Sequence, residues 1–160
     1  MKNGGTVVGN DDHVYGIPFA ATCIVKFDPT NPDITSTVGE ELERVFVRGA
    51  VFYFTNGLLA AEVRFKCGNG VLGCDGYIYA ANGAGQVLQI DAARNNYTWL
   101  GDQIDSDEEV GWDGPIIARG SLGWGDPIVG ADKCIYWPPH NANRVLKFDP
   151  ETQQLPSLVG

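Results

Sequence analysis

The sequence lacks the cysteine and histidine patterns that build metal sites and disulfide scaffolds. Only four cysteines and two histidines occur among 160 residues, and none follows a Cys-x-x-Cys or His-x-x-x-His spacing. A disulfide scaffold is therefore excluded for a chain of this length, and a tetrahedral zinc site would need residues that are distant in sequence. Of Cys23, Cys67, Cys74 and Cys134, the pair Cys67 and Cys74 could face each other across a hairpin, but free buried thiols are the expected state of this pair.

Basic residues and long apolar runs are also scarce. There are 11 basic against 20 acidic residues, which gives a net charge of −9. This charge excludes a wide basic surface for nucleic acid or for an anionic membrane. The most apolar stretch, residues 45–63, is interrupted by charged and polar residues, so no membrane-spanning segment is expected. The first residues do not resemble a signal peptide, and the sequence does not indicate a compartment.

Motifs of enzyme chemistry are missing as well. The sequence contains no Gly-x-Ser-x-Gly nucleophile motif and no glycine-rich phosphate loop that ends in Lys-Ser or Lys-Thr. What the sequence does contain is 21 glycines and 9 prolines. These residues end helices and form turns, so the composition argues against a helical bundle and favours an all-β protein.

Three segments of the chain repeat one pattern. Each begins with an apolar residue and a glycine, continues through an Asp-containing turn to an apolar-Tyr pair, and closes on a second apolar-Gly pair. The pattern predicts three blade modules at 6–39, 71–101 and 128–160, which are separated by connectors at 40–70 and 102–127. Together they predict a single β-propeller-like domain over residues 1–160.

Each module is predicted to form four short antiparallel strands. In the third strand, apolar and polar residues alternate, as in Val25, Lys26 and Phe27, so that the apolar residues share one face. The Asp-Pro turns that follow, such as Asp28-Pro29, allow the carboxylate to accept a backbone N–H two residues on. Because similar Asp residues recur in every module, we interpret them as turn formers rather than catalytic acids. Val51 and Asn56-Gly57 predict an extra hairpin in the first connector.

The repeat resembles those of known β-propeller proteins. The pattern Gly-x-Asp-Gly-x-Ile-Tyr, then Val-Leu-x-Ile/Phe-Asp-Pro, resembles the repeats of microalgal multi-repeat propeller proteins, and the module that contains Trp137 is the best match. The resemblance implies a fold but no catalytic residues. We therefore predict an all-β partial propeller of about three four-stranded antiparallel blades, with extra hairpins in the connectors.

Two groups of residues are candidate sites. Trp137, His140, Asn141 and Asn143 follow the second strand of the last module, where an exposed Trp face could stack on a sugar ring. His13, by contrast, is expected within a strand. The acidic run after Gly101 includes Asp105, Asp107 and Glu109, whose oxygens could hold Ca²⁺, although the run lacks the glycine and the distal Glu of an EF-hand loop. The alternative interpretations are that the tryptophans Trp99 and Trp124 pack between blades and that the acidic run is a solvated connector.

The predicted function is that of a binding module. Propellers typically have 4–8 blades, so three blades leave apolar sheet faces uncovered. We therefore expect a non-catalytic assembly module that contacts a protein partner, or a homo-oligomer that completes the propeller, as part of a larger complex. The alternatives are a glycan-binding propeller and a lactonase- or lyase-like propeller enzyme. No cofactor is predicted apart from the candidate Ca²⁺.

Overall fold

The chain folds into short β-strands. The computed structural model describes residues 3–19, 21–42, 52–54, 57–59, 67–83, 85–102, 123–140, 142–154 and 156–160. These residues form fourteen strands and no helix. The described residues thus include no helix with the length and hydropathy needed to cross a membrane.

Three antiparallel sheets have the same topology, with four strands in sequential order. Sheet 1 contains β1 (Asn3–Val8), β2 (Val14–Pro18), β3 (Ile24–Asp28) and β4 (Asn31–Val38). Sheet 2 contains β7 (Gly70–Leu72), β8 (Ile78–Ala81), β9 (Val87–Asp91) and β10 (Asn96–Leu100). Sheet 3 contains β11 (Ile128–Val129), β12 (Ile135–Trp137), β13 (Val145–Phe148) and β14 (Ser157–Val159). The predicted partial propeller of three four-stranded sheets is therefore confirmed.

A fourth, two-stranded sheet lies in the first predicted connector. Here β5 (Phe52–Phe54) pairs with β6 (Gly57–Leu59) in an antiparallel hairpin. The extra hairpin predicted at this place is confirmed. Most of the second connector lies outside the described residues, and the assignment of 1–160 to one domain stays a prediction.

The turns after the third strands form as the sequence predicts. The Asp28 carboxylate accepts the Thr30 N–H at 2.8 Å, and Asp91 and Asp149 accept the N–H of the residue two positions on at 3.0 and 2.9 Å. This local hydrogen bond competes with continuation of the strand and reverses the chain. Each turn thus brings the fourth strand back beside the third.

Sheet 2 packs between the other two sheets because both of its faces are apolar. Side chains of β8 alternate between the faces, and all four of its residues are buried. Ile78 and Ala80 belong to a core shared with sheet 1, whereas Tyr79 and Ala81 belong to a core shared with sheet 3. Successive sheets therefore stack face to face, as the blades of a propeller do.

Candidate functional site

The opening turn of each sheet carries a repeated Asp–Tyr hydrogen bond. In sheet 2, the Tyr79 hydroxyl donates to Asp75 Oδ2 at 2.7 Å, and Asp75 Oδ1 accepts the Tyr77 N–H at 3.3 Å. The other two sheets repeat the tyrosine bond in the pairs Tyr15–Asp11 at 2.8 Å and Tyr136–Asp132 at 2.7 Å. The Asp residues thus hold the turn, which agrees with their interpretation as turn formers.

A glycine allows the tyrosine ring to lie against this turn. A Cβ placed on Gly73 would be 2.7 Å from Tyr79 Cε2 and 2.7 Å from Asp75 Oδ1. Gly9 and Gly130 have the same close approach in the other two sheets, at 2.7 and 2.8 Å from the ring. The repeated glycine is therefore required by the space that the ring occupies.

The third strand adds a polar residue beside each tyrosine. Lys26 Nζ lies 2.6 Å from Asp11 Oδ2 and 5.4 Å from the centre of the Tyr15 ring. In sheet 2 a glutamine replaces the lysine, and Gln89 Nε2 donates to the Tyr79 hydroxyl at 2.9 Å. Lys147 holds the third place, with its Nζ 5.2 Å from the centre of the Tyr136 ring, so two of the three equivalent places carry a positive charge.

Burial and hydrogen bonds shift the pKa values of these groups. Burial, together with the bond to Asp75, raises the pKa of Tyr79. Burial raises the pKa of Asp11, but the bonds from Lys26, Tyr15 and His13 outweigh it and the net pKa is lowered. In sheet 3, the bond from the Tyr136 hydroxyl lowers the pKa of Asp132 to about 2 from its usual 3.8. The Asp11 and Asp132 carboxylates are therefore ionised at neutral pH.

Removing one hydroxyl tests this arrangement. We expect Tyr136→Phe to raise the pKa of Asp132 from about 2 towards 3.8, because the largest contribution to the shift is the hydrogen bond from Tyr136. A folded-state pKa below the unfolded value stabilises the protein above about pH 4, and this contribution is lost as the pH falls towards 2. NMR titration of the Asp132 carboxyl carbon measures the pKa. An unchanged pKa in the variant would show that the hydroxyl does not stabilise the carboxylate.

Trp137 is the last residue of β12, and His140 and Asn143 follow it before β13 begins. Trp137 is only 1% exposed, so the expectation of an exposed indole face is wrong. Its ring faces sheet 2 in the shared core, and its Nε1 has no hydrogen-bond partner among the described residues. The sequence could not indicate this burial, because it depends on a sheet that is distant in the chain.

The neighbours of Trp137 are exposed. His140 and Asn143 lie on the surface, and Asn141 lies outside the described residues. The backbone N–H groups of His140 and Ala142 both donate to the Gly123 carbonyl oxygen, at 3.1 and 2.8 Å, and so fix the loop. Ligand binding by these residues stays a prediction.

The two other tryptophans that the structure describes have packing roles. Trp124 is 3% exposed, lies in the core between sheets 2 and 3, and donates its Nε1–H to the Arg144 carbonyl oxygen at 2.9 Å. Trp99 is partly buried against the core between sheets 1 and 2. The alternative interpretation of packing between blades is confirmed for both.

The predicted Ca²⁺ ligands Asp105, Asp107 and Glu109 lie outside the described residues. Within the described ranges, no group of three or more His, Cys, Asp or Glu side chains could hold a metal ion. The Ca²⁺ site in the acidic run therefore stays a prediction.

His13 and the cysteines complete the sequence candidates. His13 precedes β2 and lies in the opening turn, so the expectation that it is within a strand is wrong. Its Nδ1 is 2.8 Å from the Asp11 carbonyl oxygen. Cys67 and Cys134 are buried and Cys23 is intermediate, whereas Cys74 is exposed, so the expected burial is wrong for Cys74.

One polar pair was missed by sequence reasoning. Asn69 Nδ2 donates to Asp126 Oδ1 at 2.5 Å, although the two residues are 57 positions apart. A Cβ on Gly5 would also collide with the Asn69 side chain. Gly9, Gly73 and Gly130 are the opening glycines of the three sheets, and Gly5, Asn69 and Asp126 each lie four residues before the opening glycine of their own sheet. The equal spacing in the sequence was the signal that these three positions are equivalent. Their contacts show that equivalent ends of the three sheets meet.

Comparisons with known proteins agree with this geometry only at the level of fold. No family model and no curated protein matches the chain. The chain is similar in structure to virginiamycin B lyase from Staphylococcus aureus, with a TM-score of 0.55 and 10% identity, over 96% of this chain and 39% of the lyase. It is also similar to hydrazine synthase from Kuenenia stuttgartiensis, with a TM-score of 0.54 and 11% identity, over 99% and 36% of the two chains.

A gluconolactonase from Xanthomonas campestris gives a comparable match. Its TM-score is 0.52 at 10% identity, over 98% of this chain and 46% of the gluconolactonase. The chain thus spans less than half the length of each of these proteins. The lyase and the gluconolactonase are β-propeller-like, and at this identity the likeness concerns the fold alone. The chain therefore has the fold of a partial β-propeller built from three four-stranded sheets.

Proposed function

We propose that the protein is a non-catalytic binding and assembly module that contacts other proteins through the two outer faces of its sheet stack. The first face belongs to sheet 1 and carries Val8, Val14, Val25 and Phe27, which strand pairing places together. The last face belongs to sheet 3 and carries Ile128, Tyr136 and Val145 on the side away from sheet 2. These two outer faces are the end faces of the stack.

Incomplete burial of the end faces is the observation that carries this proposal. Val8 is 57% exposed and Ile128 is 63% exposed, and both are large apolar side chains. Phe27 and Tyr136 are intermediate, whereas Phe148 and Tyr79, at the equivalent places inside the stack, are 1% and 0% exposed. Covering such surface with a protein partner is favourable in proportion to the apolar area removed from water.

A charge on an end face tests the proposal. We expect Ile128→Asp to weaken association about tenfold or more, because a carboxylate would be buried without a partner. Ala93→Asp is the matched control, since Ala93 is exposed in a turn of the middle sheet. Sedimentation velocity of the protein purified from its source gives the native mass. A wild-type particle that contains a single chain and no other protein at all concentrations would overturn the proposal.

A lyase- or lactonase-like activity is the second candidate function. It is supported by the Asn69–Asp126 pair, which places a carboxylate and an amide where equivalent ends of sheets 2 and 3 meet. Hydrolysis of gluconolactone, with Asp126→Asn as the inactive variant and Asp33→Asn as the control, tests this function.

The glycan-binding alternative has no comparable support, because the indole of Trp137 is buried.

A further inference from the structure

We propose that the last face of one copy binds the first face of a second copy, head to tail, so that two copies close a ring of six sheets. This inference rests on the proposed function and names its partner. The two interfaces inside the chain supply the template. Each interface joins the tyrosine-bearing face of one sheet to the opposite face of the next sheet. The last face is the tyrosine-bearing face of sheet 3, and the first face is the opposite face of sheet 1, so the two end faces match the two sides of such an interface.

The aromatic contact between sheets 2 and 3 can be repeated between copies. The rings of Tyr79 and Phe148 are 5.1 Å apart and tilted by 48°, a favourable arrangement. Tyr136 occupies in sheet 3 the place of Tyr79 in sheet 2, because both are bonded to the Asp four residues earlier. Phe27 occupies in sheet 1 the place of Phe148. Tyr136 and Phe27 of the second copy would therefore form the same pair.

The opening turns make a second repeated contact. A Cβ placed on Gly76 of sheet 2 would lie 2.6 Å from Asn10 Nδ2 of sheet 1. One step along the stack, Cys74 Sγ of sheet 2 lies 4.0 Å from the Lys133 carbonyl oxygen of sheet 3. In each case, the residue directly after the opening glycine of one sheet contacts the residue that lies three positions after the opening glycine of the next sheet.

The same rule gives the contact between copies. It places Ala131 of one copy beside Asp12 of the other. Asp12, Gly76 and Lys133 all have the left-handed backbone conformation, with φ of 61°, 86° and 65°. The receiving turn in sheet 1 therefore has the same shape as the two turns that already receive a neighbour.

The closing glycines make a third repeated contact. A Cβ on Gly39 would lie 2.8 Å from Tyr97, and a Cβ on Gly101 would lie 2.9 Å from Pro156. At Gly160, by contrast, no atom of the described residues lies within 4 Å. Tyr97 and Pro156 each stand four residues before the closing glycine of their own sheet, as Thr35 does in sheet 1. In the proposed contact, Thr35 of the second copy would take at Gly160 the place that Tyr97 takes at Gly39 and Pro156 at Gly101.

The number of copies follows from the number of sheets. A contact between two different faces produces a ring when the rotation closes and an open fibre when it does not. Propellers close with 4–8 blades. The described residues form three four-stranded sheets, so two copies bring six such sheets together, which lies in this range, whereas three copies would bring nine.

Directed cross-linking tests the inference. In a chain that carries Cys23→Ser and Cys74→Ser, we add either Ala131→Cys or Asp12→Cys and treat the proteins with a short bis-maleimide. We expect neither variant alone to cross-link and an equimolar mixture to give a covalent dimer of twice 17.3 kDa. The chain with both added cysteines should give the same dimer with two links. Peptide mass spectrometry identifies the linked residues.

The other outcomes would overturn the inference in distinguishable ways. Self-linking of Asp12→Cys alone would mean that identical faces meet. The recombinant chain could remain monomeric while the protein from its source binds a different protein through the face that contains Ile128. That result would exclude the second copy as the partner, but the proposed function would still hold. Sedimentation of Ile128→Asp and Ala93→Asp checks the same interface without added cysteines: only the first should lose the dimer.

Discussion

Phe148→Ala is expected to lower the free energy of unfolding by about 3–5 kcal/mol. Phe148 is 1% exposed and its ring contacts Tyr79 of the neighbouring sheet, so truncation leaves a cavity in the core between sheets 2 and 3. Surrounding strands relax only partly into such a cavity, which adds to the lost transfer free energy. Urea unfolding followed by circular dichroism measures the change.

Phe27→Ala is the matched control for this substitution. Phe27 holds the equivalent place in sheet 1 but is only half-buried, so we expect a loss of about 1–2 kcal/mol. If the copies associate through Phe27, this loss should vary with protein concentration, whereas the loss caused by Phe148→Ala should exceed it at every concentration. Equal losses in dilute solution would contradict the stacking of sheets 2 and 3.

Gly73→Ala is expected to cost about 1–3 kcal/mol through overpacking. The added methyl group would lie 2.7 Å from both Tyr79 Cε2 and Asp75 Oδ1, so the ring or the carboxylate must move. Either movement disturbs the Tyr79–Asp75 hydrogen bond, and the hydroxyl then loses its acceptor at a buried position. Thermal and urea unfolding give the stability, and the NMR signals of the Tyr79 ring report the displacement.

Gly125→Ala is the control for the effect of an added methyl group. Its nearest contacts would be 3.6 and 3.7 Å from Pro138, which is ordinary van der Waals distance. We therefore expect a change within about 0.5 kcal/mol. If both alanine variants were equally stable, the opening glycine would not be needed for ring packing.

Local patterns in the sequence predicted the strands and turns well. The alternation around Lys26 and the turns at Asp28, Asp91 and Asp149 formed as expected. Both features depend on residues within a few positions of each other, since strand faces alternate with period two and an Asp carboxylate bonds a backbone N–H nearby. The hairpin of β5 and β6 was predicted for the same reason.

The candidate sites were predicted less well because they depend on distant contacts. Trp137 has the same sequence surroundings whether its indole faces solvent or another sheet, and the presence of sheet 2 decided that it is buried. The Asn69–Asp126 bond joins residues from two different sheets, so it required the stacking to be known. His13 lies one residue before its strand, a boundary that local patterns define poorly.

The sequence by itself determined that the chain is all-β, that it repeats one unit three times and that Asp residues form its turns. These properties follow from periodicity, spacing and local hydrogen bonding. Only the tertiary structure decided which faces are buried, which polar residues meet and which two faces remain partly exposed. Those outcomes depend on how one sheet covers the next, because burial is a property of the whole stack and not of any single strand.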